Sequence, residues 1–291
     1  PEFLISTMDR HKDWAVIICL VGGGQEINTG EAGLPEWFDS LRRSFPDWDV
    51  YIAPQLNDDE YRRGEAWESM IKDLNICERL ELHLSTSVRS FRTPDLAAFV
   101  KALLDGEKDE ARRLYFNFKN KYPIIITRDL NKAKDWVKEK SRGTTRFGLL
   151  ASSGALRLKP EGIFVKNDTK VEHWFLNGKE DVRSSFMLED VVTEFDVQGL
   201  ELDYTIVAWD ADLRYKDGHW DYKYFRGNAW QNVNSEEKRR YLKNAYRVLL
   251  TRARQGMAIF VPYGSIEDGS RNPEWYDGTY NYLREIGILE L

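Results

Sequence analysis

The stretch TEFDVQGLELDYTIVAWDAD, residues 193–212, carries the clearest structural signal in the chain. Its apolar run DYTIVAW (203–209) is short, rich in β-branched and aromatic residues, and bounded by polar residues, which is typical of a buried strand. The pair Gln198-Gly199 just before the run predicts a turn that leads the chain into this strand.

Further apolar runs of the same kind alternate with longer segments of helical periodicity. This alternation predicts an α/β fold with a largely parallel sheet flanked by helices. The other predicted strands are WAVIICLV (14–21), DVYIAP (49–54), YPIIIT (122–127), RFGLLAS (146–152) and MAIFVP (257–262). The predicted helices are 35–44, 62–78, 94–104, 107–120, 129–140, 236–253 and 273–286.

The composition describes a well-packed protein rather than a disordered or membrane chain. Of 291 residues, 42% are hydrophobic and 31% charged, so one large or two ordinary domains can form. No run approaches 18 apolar residues, so no membrane span is expected. Two cysteines, Cys19 and Cys77, suit a reducing compartment, for which we expect the cytoplasm. The net charge of −6 argues against a broad nucleic-acid surface but allows one basic groove.

The stretch YLKNAYRVLLTRARQGMAIFVP, residues 241–262, predicts a helix that leads into a strand. The apolar stripe of its helical wheel consists of Leu242, Ala245, Leu249 and Ala253. Arg252 falls in the same arc, and a guanidinium, which cannot lose its charge, is costly to bury without an anion. Two explanations stay open: Arg252 pairs with a carboxylate of its own domain, or it is held toward a phosphate in a cleft between domains.

Acidic residues surround the strand predicted at 203–209. Glu201, Asp203, Asp210 and Asp212, followed by Lys216, allow interpretation as a metal-dependent nuclease cluster. Alternation along a strand puts Asp203 and Asp210 on opposite faces, however. We therefore favour ordinary solvated acids and predict no metal site.

The stretch WDADLRYKDGHWDYKYFRGNAW, residues 209–230, interleaves aromatic and basic residues. Such interleaving suits stacking on the bases of a single strand, with Trp220, Tyr224 and Arg226 as candidate contacts to nucleic acid. The favoured alternative is a hairpin whose aromatic side chains cover the sheet.

A glycine loop, LVGGGQEI (20–27), follows the strand predicted at 14–21. Glycines after a strand can bring backbone N–H groups close to a phosphate. A Walker-type loop also requires G-x-x-x-x-G-K-[ST], and this spacing occurs nowhere in the sequence. The loop is therefore not the cradle of a triphosphate.

Three stretches in this order resemble motifs of superfamily 1 helicases. LVGGGQEI resembles motif III; Thr193, four further residues and then QGLE (198–201) resemble motif V; and YRVLLTRAR (246–254) resembles motif VI. The wider pattern includes WFDSL, GLLASSGALRL and HWFLNGKEDVRSS. From about Asp13 to the C terminus, the chain is similar to the Schlafen group 3-like family of DNA/RNA helicase domains.

The resemblance implies a domain organisation. In such helicases, ATP and Mg²⁺ lie between two RecA-like domains. Residues 79–291 would form the second RecA-like domain, with motifs IV to VI. Residues 8–78 would be the end of the first, with the motif III strand and helix, after a tail of residues 1–7.

The resemblance also implies roles for single residues. Arg252 would stabilise charge on the transferring phosphoryl group, and Gln25 would sense the γ-phosphate or couple it to nucleic acid. The cofactor-binding candidates are Gly199, whose amide would approach a phosphate, Glu201, which would hold the ribose hydroxyls, and Gln198. Arg89 in LSTSVRSFR resembles the motif IV arginine, with Arg92 as the alternative.

The resulting prediction is the C-terminal RecA-like half of a DNA or RNA helicase or nucleic-acid-dependent ATPase. It would use ATP and Mg²⁺ in the complete protein, together with a missing N-terminal RecA-like domain. Alone it is expected to bind no cofactor and to be inactive. The strand at 14–21 is expected to pair with the edge of the main sheet or with another copy of the chain. The alternative is a non-enzymatic module that binds nucleic acid or a partner.

Overall fold

The computed structural model describes residues 1–22, 33–62, 64–84 and 95–291. The chain divides into two compact units, Pro1–Thr86 and Ser87–Leu291. The boundary predicted between residues 78 and 79 precedes this division.

The first unit combines short helices with a small parallel sheet. Its helices are α1 (Glu2–Met8), α2 (Leu34–Ser44), α3 (Asp59–Arg62) and α4 (Trp67–Ile71), and its strands are β1 (Asp49–Ile52) and β2 (Asn75–Glu78). The two strands pair in parallel, and 3-10 turns lie at Pro54–Asn57 and Leu80–Leu82. Phe38, Leu41, Trp67 and Met70 are central to its core.

Two predictions for this unit are wrong. The single helix expected at 62–78 is replaced by the short helix α4 and the strand β2. Between them Asp73 adopts a left-handed φ of 60°, which a continuing helix does not tolerate. The strand expected at 14–21 does not form: Trp14, Ile18 and Leu20 are about 80% exposed, at 78%, 83% and 83%. A strand needs a partner for its backbone groups, and within the described residues this segment joins no sheet. Its association with another copy of the chain stays a prediction.

The second unit is built on a six-stranded parallel sheet. The strands of this unit, which include those of a second sheet, are β3 (Ile124–Thr127), β4 (Phe147–Ala151), β5 (Val191–Val192), β6 (Leu202–Ala208), β7 (Leu213–Lys216), β8 (His219–Arg226), β9 (Ala229–Asn232), β10 (Ala253–Phe260) and β11 (Leu289–Glu290). The order across the sheet is β11-β3-β10-β6-β4-β5, with every pair parallel. Strands β7, β8 and β9 form a separate antiparallel sheet.

Helices flank the parallel sheet. They are α5 (Asp95–Asp105), α6 (Lys108–Phe118), α7 (Leu130–Lys140), α8 (Val171–Leu176), α9 (Glu194–Val197), α10 (Glu236–Leu250) and α11 (Glu274–Ile286), with 3-10 turns at Leu156–Glu161 and Ser185–Met187. Ser235 caps α10 by accepting a hydrogen bond from the Lys238 amide, at 3.4 Å. The prediction of an α/β fold with a parallel sheet and flanking helices is confirmed.

The centre of this sheet is β6, which lies between β10 and β4. Its side chains Ile206 and Val207 are fully buried, as expected for a strand covered on both faces. Because all six strands are parallel, they all begin at one edge and end at the other. We call these the amino edge and the carboxyl edge; the amino edge is where β6 and β10 begin, at Leu202 and Ala253.

Within the described residues, none of the helices has both the length and the apolar character needed to cross a lipid bilayer.

Candidate functional site

The motif V-like segment lies between β5 and β6. Thr193 precedes α9 and forms a reciprocal cap with Asp196: the Thr193 amide and hydroxyl both donate to the Asp196 carboxylate, at 2.7 and 2.8 Å. The Leu200 amide then donates to the Val197 carbonyl at 3.0 Å. This bond closes a turn, so residues 198–201 form a compact loop at the amino edge.

Gly199 is the exposed point of this 198–201 loop. Its φ is +92°, a conformation that costs any residue with a β-carbon and that glycine adopts freely. A β-carbon placed there would meet no heavy atom of the described residues within 4 Å. The glycine is thus required by the backbone and not by crowding, and one side of the loop is open.

Arg252 connects both ends of the same loop. Its carbonyl accepts a hydrogen bond from the Leu202 amide at 3.0 Å, directly after the loop. Its Nη1 donates to the Val197 carbonyl at 3.5 Å, directly before the loop, and its Nε donates to the Val248 carbonyl at 3.0 Å. The 198–201 loop is therefore bracketed by contacts to one arginine.

The burial of Arg252 agrees with its predicted place in the apolar arc, since only 1% of the residue is exposed. The helix ends earlier than predicted, at Leu250, so the arginine lies in the connection between α10 and β10. In this structure the guanidinium does not point into an open cleft. The guanidinium is enclosed where the 198–201 loop meets the connection between α10 and β10.

The other cofactor candidates lie in the 198–201 loop as well. Gln198 is exposed and Glu201 is half-buried. The structure thus brings together four of the predicted site residues, Gln198, Gly199, Glu201 and Arg252, at the amino edge. Gln25 and Arg89 lie outside the described residues, and their roles stay predictions.

Asp203 joins three strands at this edge. Its carboxylate accepts from the Arg146 amide at 2.9 Å and from Gln255 Nε2 at 2.7 Å, which links β6 to the starts of β4 and β10. Sequence reasoning considered Asp203 a solvated acid or a metal ligand. Its two partners are 57 and 52 residues away, so no local pattern could reveal this role.

The acids at the carboxyl edge form a different cluster. Asp210 accepts from the Tyr276 hydroxyl and from the Ala211 and Arg157 amides, at 2.9, 2.8 and 2.8 Å. Asp212 accepts from the hydroxyls of Ser152 and Tyr246, at 2.6 and 2.5 Å. Both carboxylates are about 1% exposed, and each is surrounded by donors of its own domain.

Burial changes the protonation of this carboxyl-edge cluster. Loss of solvent, reinforced by the neighbouring Asp210, raises the pKa of Asp212 to about 7. Burial likewise raises the pKa values of Asp210 and of Glu194, whose carboxylate accepts from the Ser153 amide and hydroxyl at 2.8 and 2.6 Å.

The acids considered for a nuclease do not come together. Asp203 lies at the amino edge, whereas Asp210 and Asp212 lie beyond the carboxyl end of β6. In the part of the chain that the structure describes, no three His, Cys, Asp or Glu side chains are grouped to hold a metal ion.

The aromatic stretch 209–230 forms the antiparallel sheet β7–β9, in agreement with the favoured hairpin. Trp220 is 7% exposed, stacks on Trp209 with ring centroids 5.4 Å apart, and donates its Nε1–H to the Leu103 carbonyl at 3.0 Å. The structure therefore corrects its assignment: Trp220 is a core residue and presents no face to a base. Tyr224 and Arg226 are exposed, so their contact with nucleic acid stays a prediction.

Comparison with known proteins is consistent with this arrangement. No match was found among curated proteins. The sequence model of the family described as Schlafen group 3, DNA/RNA helicase domain, matches residues 1–263. This match covers both compact units except for the last residues of the second, and it includes the 198–201 loop and Arg252. The chain therefore belongs to the Schlafen group 3 DNA/RNA helicase domain family.

Proposed function

We propose that Ser87–Leu291 is a RecA-like domain that contributes motif V and the motif VI arginine to an ATP site. A second RecA-like domain would complete the site in a DNA or RNA helicase or nucleic-acid-dependent ATPase. The observation that carries this proposal is the bracketing of the 198–201 loop by Arg252, through Val197 on one side and Leu202 on the other. This contact couples the two motifs that the family resemblance places at the nucleotide.

The residues present suit one side of a nucleotide. The open side of Gly199 leaves room for a phosphate near the backbone, and Glu201 provides a carboxylate for ribose hydroxyls. Arg252 provides the positive charge that stabilises a phosphoryl group as it is transferred. ATP and Mg²⁺ would supply the group to be transferred and the ion that neutralises its charge.

The chain does not supply the other side of the nucleotide. None of its 291 residues forms a G-x-x-x-x-G-K-[ST] loop, whose backbone, lysine and hydroxyl hold the phosphates and Mg²⁺. We infer that a further RecA-like domain provides them, and that this chain alone turns over no ATP above background.

The burial of Arg252 adds a conformational requirement. A side chain that is 1% exposed cannot reach a phosphate from another domain unless its surroundings change. Its Nη1 contact to Val197, at 3.5 Å, lies at the outer limit of a hydrogen bond. We infer that docking of the second domain rearranges the 198–201 loop and turns the guanidinium toward the nucleotide.

The test is ATP turnover, with single-stranded nucleic acid present, by a longer protein that contains this chain and a phosphate loop. Arg252→Ala should reduce turnover by about 10³-fold, because an arginine of this kind acts mainly on the transition state. Nucleotide affinity should change little. The matched control is Arg254→Ala, which removes an exposed arginine two residues away and should keep near-normal turnover.

Two outcomes would count against the proposal. Equal turnover by the Arg252→Ala variant and the unmodified protein would remove Arg252 from catalysis. Binding of nucleic acid by a longer protein that shows no ATP turnover would favour the alternative, a module that binds without hydrolysis.

A further inference from the structure

A basic cavity lies on the β7–β9 sheet, on the face that the sequence analysis did not select. Its volume is about 400 Å³, within the usual range for small-ligand sites. The side chains that matter for the argument are Arg214, Lys216, Asp221, Lys223, Trp230 and Trp275. We call it the hairpin cavity.

Strand geometry explains why these side chains share a face. Successive side chains of a strand alternate between faces, so Arg214 and Lys216 lie on one face of β7. In the antiparallel register, Arg214 is opposite Asp221, which with Lys223 lies on the same face of β8. Trp220, Tyr224 and Arg226 belong to the other face of β8.

Arg214 is unusual among these residues because its charged side chain is buried. It is 4% exposed and its Nε donates to the Ala211 carbonyl at 3.0 Å. Within the described residues, its Nη2 is buried and has no hydrogen-bond partner. The guanidinium carbon lies 4.2 Å from the ring centroid of Trp275 and 5.4 Å from that of Trp230. A buried charge is costly. Asp221 on the opposite strand favours the charged form of Arg214 in part, and an anionic ligand would add to this compensation.

The charge of the hairpin cavity also favours an anion. Its lining includes three cationic side chains, those of Arg214, Lys216 and Lys223, and one carboxylate, that of Asp221. This carboxylate forms an ion pair with Lys223 at 2.9 Å. Lys216 is exposed, so it can meet a ligand at the cavity mouth. This local excess of positive charge occurs in a chain whose net charge is −6, which distinguishes the cavity from the average surface.

We propose that the hairpin cavity binds a nucleotide unit of single-stranded nucleic acid. Lys216 contacts its phosphate at the cavity mouth, the buried Arg214 adds positive charge behind it, and the indoles of Trp230 and Trp275 provide apolar surface for its base or sugar. The inference rests on the nucleic-acid part of the proposed function and assigns it a surface. The cavity follows the carboxyl end of β6, whereas the 198–201 loop precedes its amino end.

The test is fluorescence anisotropy of a labelled oligothymidylate titrated with the 291-residue chain. Lys216→Glu should raise Kd by about tenfold, and the slope of log K against log salt should fall by about 1, as expected when a phosphate contact is lost. Lys216→Arg, which keeps the charge, should restore binding. Lys132→Glu on α7 makes the same charge change at an exposed lysine away from the cavity, and its Kd should stay within about twofold of the unmodified value. Thermal unfolding confirms that each variant is folded.

A second arm repeats the titration with a fluorescent nucleoside monophosphate. Weakening of oligonucleotide binding by Lys216→Glu assigns the cavity to a strand, and weakening of monophosphate binding alone assigns it to a free nucleotide. Both results support recognition of a nucleotide phosphate at this cavity. Equal affinities of Lys216→Glu and the unmodified chain for both probes overturn the inference, as does absence of binding by the unmodified chain. Neither of these negative results alters the ATP-turnover test of Arg252, so the two proposals fail separately.

Discussion

The amino and carboxyl edges of the six-stranded sheet place their charges in contrasting surroundings. At the carboxyl edge, Asp210 and Asp212 are enclosed by hydroxyl and amide donors from the same domain. At the amino edge, Arg252 donates to main-chain carbonyls and is adjacent to the 198–201 loop, whose Gly199 faces open space. The first arrangement is closed, whereas the second has an open side.

Ligands of α/β proteins usually bind at the carboxyl ends of parallel strands. Here that edge carries carboxylates whose hydrogen bonds come from within the domain, which indicates a structural role for the acids themselves. The comparison shows that a cluster of acids at the favoured edge is weak evidence for a site. A loop with an open side and a buried arginine is a better indication.

The largest effect on folding is expected at the amino edge. Arg252→Ala removes a buried side chain and leaves the carbonyls of Val197 and Val248 without this donor. We expect the free energy of unfolding of the 291-residue chain to fall by about 3 kcal/mol. Arg254→Ala, at an exposed position, should change it by less than about 0.5 kcal/mol. Chemical denaturation measures both, and equal values would show that the bracketing contacts do not stabilise the loop.

The next effect is a pH dependence at the carboxyl edge. In the folded state the pKa of Asp212 is raised to about 7 from its ordinary 3.8. Between these values the folded state binds more protons than the unfolded state, so stability falls as pH rises. Facing groups are Asp210, Glu194, Ser152 and Tyr246. Asp212→Asn removes the ionisable group and with it this dependence of stability on pH.

The size of this pH effect is measurable by denaturation at a series of pH values. From pH 5.5 to pH 8, Asp212→Asn should gain on the order of 2 kcal/mol of stability relative to the unmodified chain, because roughly 1.5 pH units separate pH 5.5 from the folded-state pKa and each unit corresponds to about 1.4 kcal/mol. Parallel stability profiles for the two chains would mean that Asp212 is ionised throughout this range.

The smallest effects on stability are expected at two glycines, one at each edge of the sheet. A β-carbon at Gly154 would lie 2.9 Å from Asp212 Oδ2, so Gly154→Ala should displace that carboxylate and cost about 2 kcal/mol. Gly199→Ala meets no such contact and should cost about 1 kcal/mol through its φ of +92° alone. Chemical denaturation at neutral pH measures the loss of stability for both variants. A larger loss for Gly199→Ala than for Gly154→Ala would show that the amino edge, and not the carboxyl edge, is the more tightly packed of the two.

Strong local patterns made much of the fold predictable. Strand β6 and helix α10 have clear periodicity and polar boundaries, and both were found with small errors at their ends. Strands β5 and β11, of two residues each, are too short to show a period. The apolar run 14–21 has the side chains of a strand, but sequence does not say whether a partner strand is present.

The candidate site was predictable in part. The helical wheel placed Arg252 in the apolar arc, and the turn signal located Gly199. The contact between Arg252 and Val197 spans 55 residues, so only the three-dimensional structure reveals it. Trp220 was misassigned because an aromatic side chain that stacks in a core has the same sequence signature as one that stacks on a base.

The most direct test of the amino-edge site is a structure of the longer protein with ADP, Mg²⁺ and aluminium fluoride, which imitates the transferring phosphoryl group. We predict that Arg252 leaves the Val197 carbonyl and that its guanidinium lies within about 3 Å of a fluoride ligand, a hydrogen-bond distance. Gly199 and Glu201 should face the same nucleotide. If Arg252 instead remains enclosed and bonded to Val197 and Val248 while the analogue is bound, its role is structural and the proposed site is wrong.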